Sequence, residues 1–170
     1  MNGRASGQGQ GRDTIGLVET RTVTSGTDLD TIRELFREYE RHIGVDLCFQ
    51  GFAAELASLP GEYAAPTGLL LLASSDGEAA GCVAVRRWAS DACEMKRLYV
   101  RPAFQGAGIG RGLAEEVLAW ARQQGHARVL LDTLPSMRTA QGLYERLGFR
   151  DVEPYRANPV AGARYMCLEL

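Results

Sequence analysis

The stretch Val100-Arg101-Pro102-Ala103-Phe104-Gln105-Gly106-Ala107-Gly108-Ile109-Gly110-Arg111-Gly112 decides how this chain is read. It joins an apolar run, Cys93 to Val100, to an amphipathic segment, Ile109 to Gln124, through the alternating glycines Gly106, Gly108, Gly110 and Gly112. Glycine lets a backbone approach a ligand closely, and the first turn of a helix offers unpaired N–H groups and a partial positive charge. Strand, glycine loop and helix in that order make an anion site, with phosphate or pyrophosphate as the natural occupant. Two nucleotide loops fail on spacing. A Walker loop ends in Gly-Lys-Ser/Thr, and this loop has no lysine. The dinucleotide fingerprint GxGxxG needs a small residue three positions after its second glycine, but Gly106 and Gly108 lead to Arg111, and Gly108 and Gly110 lead to Leu113.

Outward from the loop, the periodicity supplies the remaining elements. Ile109, Leu113, Val117, Leu118 and Ala121 repeat at helical spacing, and Gly125 stands where a helix C-cap glycine belongs. Towards the N-terminus, Gly16 to Thr24 is rich in Val and Thr and reads as a strand. A helix follows, with Thr27 as cap, Asp30 completing a capping box, and Leu29, Ile32, Leu35, Phe36, Tyr39 and Ile43 on its apolar face. Phe52 to Leu59 is a shorter amphipathic segment ended by Pro60-Gly61. The runs Leu69 to Ala73 and Ala79 to Trp88 flank Asp76-Gly77, a strong hairpin signal, with Gly81 weakening the second run. Arg128 to Asp132 reads as a strand, Met137 to Leu147 as a helix closed by Gly148, and Arg164 to Leu170 as a last strand. The order is β-α-α-β-β-β-α-β-α-β, with room for one more strand near Phe149.

The chain of 170 residues is long enough to bury roughly two-thirds of its unfolded surface, which suits one domain. Residues 1–14, with Gly3, Gly7, Gly9 and Gly11, read as a flexible leader, and 15–170 as a single domain. The leader lacks the apolar core of a signal peptide, and no later run is long enough to span a bilayer, so a cytoplasmic location is expected. A net charge of −2 gives no basic field to collect nucleic acid or an anionic membrane. Cys48, Cys82, Cys93 and Cys167 form no CxxC pair, so no zinc site or disulfide scaffold is indicated. Lys96 is the single lysine beside 18 arginines, a skew that nucleotide composition of the source genome explains as well as any chemistry.

The loop does match the pattern Gln/Arg-x-x-Gly-x-Gly/Ala, as Gln105-Gly106-Ala107-Gly108-Ile109-Gly110, and here the chain resembles the GNAT acetyltransferase superfamily, in particular its small bacterial-type members. Glu94-Met95-Lys96-Arg97-Leu98-Tyr99-Val100-Arg101-Pro102 resembles that family's fourth strand. Leu131-Asp132-Thr133 and Leu143-Tyr144-Glu145-Arg146-Leu147-Gly148-Phe149 resemble its fifth strand and following helix. The resemblance implies an α/β (α+β) fold, with a mixed central sheet of six to seven strands, splayed fourth and fifth strands, and about four flanking helices. It also implies acetyl-CoA as co-substrate, an amine as acceptor, and no metal. The loop amides of Gln105, Gly106, Ala107, Gly108, Ile109 and Gly110, with Arg111, would meet the phosphates. Leu98, Tyr99 and Val100 would run beside pantetheine, with Thr133 and Ala140 near the cofactor. Arg111 also reads as a solvated helix charge.

Tyr144 matches the tyrosine that faces the sulfur of coenzyme A in many members, and it also fits the apolar stripe of Met137, Ala140, Leu143 and Leu147. Glu94 stands where some members carry a general base. Alternation puts it on one strand face with Lys96, Leu98 and Val100, while an ion pair with a nearby arginine and a water relay remain open. Tyr39, Phe49, Gln50, Glu55 and Asn158 are candidate acceptor contacts, although Phe49 also reads as a buried packing residue. Glu38, Glu40, Asp46 and Glu55 gather in the same region, which suits a cationic acceptor. A monomer or homodimer is expected. The other functional class is a binding module that holds acyl-CoA as a sensor without turnover; retention of Tyr144 favours catalysis.

Overall fold

The computed structural model describes residues 16–170. The leader expected over residues 1–14, and the domain start at residue 15, lie outside the described residues. The order is β1 (Val18–Thr22), α1 (Thr27–Ile43), α2 (Phe52–Ser58), β2 (Leu69–Ser75), β3 (Glu78–Arg87), β4 (Ala92–Val100), α3 (Ile109–Gln123), β5 (Arg128–Thr133), α4 (Arg138–Leu147), β6 (Arg150–Asp151) and β7 (Arg164–Glu169). The extra strand near Phe149 is β6. Short 3-10 turns at Leu47–Gln50, Gly61–Tyr63 and Pro102–Phe104 fill the connections.

All seven strands form one mixed sheet in the order β1-β2-β3-β4-β5-β7-β6. The β2–β3 hairpin turns at Asp76 and Gly77, whose φ angles of 49° and 83° give the two left-handed residues that an Asp-Gly turn accommodates. Alternation in β2 and β3 then sorts side chains to two cores. Leu69, Leu71, Val83 and Val85 face α3 and α4, while Leu70, Leu72, Cys82 and Ala84 face α1 and α2. One expected cap is absent. Helix α1 starts from Gly26 with no side-chain cap, Thr27 lies inside the first turn, Asp28 is drawn to Arg21 at 2.8 Å and Asp30 to Arg33 at 2.7 Å.

Strand β4 departs from alternation. Lys96 pairs with Ala84 and Tyr99 with Cys82, so three residues of β4 advance against two of β3. The extra residue falls at Arg97, which takes φ 57°, a left-handed conformation that a non-glycine residue holds only when its surroundings enforce it. Cys93 and Met95 face the α3 side, as do Leu98 and Val100 beyond the bulge, whereas Tyr99 joins the α1 side. The expectation that Glu94 shares a face with Leu98 and Val100 is therefore corrected: the bulge inserts one residue and reverses the faces.

Beside the bulge, β3 approaches closely enough that a Cβ on Gly81 would meet the Tyr99 carbonyl oxygen at 2.5 Å. Gly81 is the residue that lets β3 accept the distorted β4. Gly81→Ala should cost about 2 kcal/mol through overpacking and lower the melting temperature by roughly 4–8 °C. An unchanged melting temperature would show that β4 yields there freely.

Candidate functional site

Parallel pairing between β4 and β5 ends early. Ala92, Cys93 and Glu94 pair with Arg128, Val129 and Leu130, and beyond them the two strands diverge. A cleft of ≈ 550 Å³ opens where they part, walled by Leu98, Tyr99 and Val100 on one side and by Met137, Arg138, Thr139, Ala140 and Leu143 on the other. The glycine loop closes its end, with Gln105, Gly106, Gly108, Ile109, Gly110 and Arg111 lining it and Ala107 outside the lining.

The loop has the geometry of an anion site. Gly106 and Gly108 have φ angles of 85° and 80°, and Gly108 is the N-cap of α3. Among the described residues, the backbone N–H groups from Gly106 to Arg111 have no protein acceptor, and the ladder begins with Gly112 donating to the Gly108 carbonyl at 3.0 Å. No acidic residue occupies the first turn of α3. The charged side chains on the cleft wall are Arg111, Arg138 and Arg146, and no Asp or Glu lines it. Arg111 pairs with Glu115 at 2.7 Å on the exposed rim. Gln105 donates its amide to the Val100 carbonyl at 3.0 Å, so its side chain ties the loop to β4. Arg138, Arg146, Ser136 and Thr139 were not expected from the sequence; the available signal was two arginines spaced two turns apart on one helix.

A second, smaller pocket of ≈ 30 Å³ adjoins the cleft, with Tyr39, Ile43, Leu98 and Met137 lining both. It has room for about two waters. Tyr144 lines it from α4, only 4% exposed, its ring 5.8 Å from that of Phe149. Its hydroxyl has no protein partner among the described residues, and burial pushes the phenol well above its ordinary range. Tyr39 is likewise pushed up by burial, to about 12, and its hydroxyl points to the Met137 sulfur at 4.0 Å. Gln50, Lys96, Asp132 and Asn158 supply the polar wall.

Four expected site residues are placed elsewhere or differently. Thr133 is 2% exposed, lines neither cavity, and points its hydroxyl at the Met137 sulfur. Glu55 also lines neither cavity. It receives Arg97 at 2.6 Å and the Tyr63 hydroxyl at 2.6 Å, and although burial opposes ionisation these partners hold its pKa below the ordinary value. Phe49 is 39% exposed at the pocket edge, since the turn Leu47–Gln50 buries Leu47 instead. Glu94 is fully buried outside both cavities, where Arg86 at 2.8 Å, Arg156 at 3.0 Å and the Tyr155 hydroxyl at 3.1 Å occupy its two oxygens. The ion-pair alternative for Glu94 is the one the fold adopts.

Among the described residues, no group of three or more His, Cys, Asp or Glu is arranged to hold a metal ion, and no helix is long and apolar enough to cross a membrane. A family model described as the acetyltransferase (GNAT) family matches residues 29–149. An uncharacterized N-acetyltransferase of Schizosaccharomyces pombe is 41% identical over 145 residues, covering 84% of this chain and 89% of the relative. That relative is from a yeast, so the likeness is not confined to bacteria. An acetyltransferase structure from Streptococcus agalactiae superposes with a TM-score of 0.76 at 18% identity, covering 90% of this chain and 98% of the other. The PaiA N-acetyltransferase of Thermoplasma acidophilum, solved in complex with coenzyme A, gives 0.73 at 20% identity, covering 91% and 99%.

Replacing Glu94 by Gln removes its charge from two arginines at once, leaving Arg86 with Glu62 at 2.7 Å and Arg156 with Asp132 at 3.6 Å. The expected loss is about 3 kcal/mol, at the low end for a broken buried pair, with a fall in melting temperature of roughly 6–12 °C. The pH profile of turnover should keep its shape. A stable Glu94→Gln protein whose profile shifts would instead make Glu94 the base.

Proposed function

Because this chain belongs to the GNAT acetyltransferase family, we propose that residues 15–170 act as one domain that transfers acetyl from acetyl-CoA directly to an amine, with Tyr144 assisting the departing thiolate. One observation carries this reading: an acid-free, arginine-rimmed cleft floored by free loop amides runs into a small pocket that holds the unpartnered Tyr144 hydroxyl. The coenzyme A in the Thermoplasma structure supports the choice of donor.

In this reading the pyrophosphate sits on the amides of Gly106 to Arg111, where the partial positive charge of α3 favours it. Pantetheine runs beside Leu98 to Val100, along the edge of β4 that β5 leaves unpaired after Glu94. The thioester then lies where cleft and pocket meet, near Leu98, Met137 and Tyr144. The amine nitrogen attacks the thioester carbon, backbone N–H groups of the freed strand stabilise the oxyanion, and the C–S bond breaks with its electron pair passing to sulfur. Glu94 is sealed from both cavities, so the amine proton leaves through water in the small pocket, and Glu94 serves by holding Arg86 and Arg156.

Tyr144 acts by hydrogen-bond donation rather than full proton transfer. A phenol and a thiol have ordinary pKa values of about 10 and 8.5, so handing over the proton is uphill by roughly 2 kcal/mol. Burial raises the Tyr144 phenol and widens that gap. A donated hydrogen bond needs no transfer and strengthens as charge gathers on sulfur.

Two variants separate binding from chemistry. A Cβ at Gly108 meets no protein atom within 4 Å, so Gly108→Val should remain folded, at some backbone strain from its φ of 80°, while placing bulk beside the loop amides where the phosphate would lie. Acetyl-CoA affinity should fall by at least about 30-fold, or about 2 kcal/mol, by calorimetric titration. Unchanged affinity would remove the loop from donor binding. Tyr144→Phe keeps the ring against Phe149 and deletes the donor, so turnover should fall at least about tenfold, worth about 1.4 kcal/mol, while acetyl-CoA affinity and melting temperature hold. Intact turnover would reduce Tyr144 to a core aromatic.

A further inference from the structure

Two charged side chains in the small pocket are left over once the donor has been placed. Lys96 is 8% exposed, donates to the Gln50 side-chain oxygen at 3.1 Å, and among the described residues forms no ion pair. Asp132 accepts from the Asn158 amide through Oδ2 at 3.0 Å and has Arg156 at a loose 3.6 Å, while its Oδ1 has no hydrogen-bond partner among the described residues. Both line the pocket that holds Tyr144.

The charges around them are already matched. Arg97, which lines the same pocket, is paired with Glu55 at 2.6 Å, and Arg86 and Arg156 hold Glu94 at 2.8 and 3.0 Å. Of the carboxylates that suggested a cationic acceptor, Glu38 and Glu55 are paired with Arg101 and Arg97 at 2.8 and 2.6 Å, while Glu40 and Asp46 accept the Leu47 and Cys48 N–H groups and line neither cavity. What the pocket presents is one buried cation without a counter-ion and one anion with a free oxygen. Burial lowers the Lys96 pKa to about 8, with Glu94 opposing the shift and Arg97, Arg156 and Arg86 reinforcing it, so the side chain is still largely cationic at neutral pH. A buried charge with no partner is costly, and a ligand that supplies the partner recovers that cost on binding.

We propose that the acceptor is a small free amino acid, whose carboxylate pairs with Lys96 and whose ammonium is first received by Asp132. The proposal rests on the acetyltransferase reading above and names its acceptor. Because Lys96 and Asp132 line one small pocket, amine and carboxylate must be only a few bonds apart, with the remainder of the acceptor reaching towards the adjoining cleft. That fits an α- or β-amino acid, and does not fit a long diamine or an ordinary protein N-terminus, whose α-carboxyl is an amide. In the reaction the ammonium gives one proton to water and the nitrogen attacks the thioester carbon. The C–N bond forms and the C–S bond breaks, and the second nitrogen proton ends, through solvent, on the coenzyme A thiol. The product is an N-acetyl amino acid.

The test is thiol release at saturating acetyl-CoA with the standard amino acids and β-alanine, each beside its amide and its decarboxylated amine. At least one free amino acid should exceed both analogues by roughly 30-fold or more in kcat/KM, the scale of a lost buried charge partner. Lys96→Met should raise KM for that amino acid by a similar factor, leave acetyl-CoA affinity unchanged, and barely affect the decarboxylated amine; Lys96→Arg should recover part of the loss. Amides or simple amines that serve as well, a protein that binds acetyl-CoA yet uses no free amino acid, or a Lys96→Met variant that slows all acceptors alike would each overturn the proposal. Should Lys96→Met not fold, the comparison of acceptors on the unaltered protein decides. A protein that fails to bind acetyl-CoA would fail at the donor reading instead.

Discussion

Arg97 holds its backbone at φ 57° in the middle of a strand, and the geometry of both cavities follows from it. A left-handed residue with a long side chain persists only where the surroundings over-determine it. Here the guanidinium makes two hydrogen bonds to Glu55, at 3.0 and 2.6 Å, and lies over the rings of Tyr39 and Phe52 at 5.8 and 5.3 Å. Helices α1 and α2 therefore clamp the bulge from one side of the sheet, while Gly81 makes room for it in β3. Pairing with β5 stops at Glu94, just before the bulge, and leaves the far end of β4 as an open edge.

The bulge also divides the labour of the strand. Before it, Glu94 and Lys96 turn to the face of α1 and α2; after it, Leu98 and Val100 turn to the cleft. One strand thereby serves two cavities, with Leu98 lining both. Arginine chemistry follows the same division. In the interior, Arg86, Arg97, Arg101 and Arg156 neutralise carboxylates, whereas Arg138 and Arg146, which form no ion pair among the described residues, line a cleft without acidic residues. Lys96, with no carboxylate partner, is the exception that gives the small pocket its character.

Much of the frame was legible in the sequence. Periodicity located the helices and strands within a few residues, Asp76-Gly77 marked its hairpin, and Gly106 and Gly108 marked the turn into α3, because these are local constraints on φ/ψ and burial. Tyr39, Gln50 and Asn158, far apart in the chain, line one pocket. The surroundings of Glu55 and Glu94 were not legible, because each meets partners far along the chain: Glu55 is 42 residues from Arg97, and Glu94 is 62 from Arg156.

By itself, then, the sequence determined the element order, the two-sided sheet and the glycine loop that opens α3, since backbone conformation at glycine and hydrophobic period are written residue by residue. Tertiary structure decided which charges are consumed and which are left to act. A carboxylate reads the same whether it is clamped by an arginine or open to a ligand, and only packing brings the arginine to it. The bulge belongs to the same class, for nothing in Met95-Lys96-Arg97-Leu98 announces a left-handed residue. Arg97 takes that conformation because Glu55, Tyr39 and Phe52, arriving from two helices, stabilise it more than the strained backbone costs.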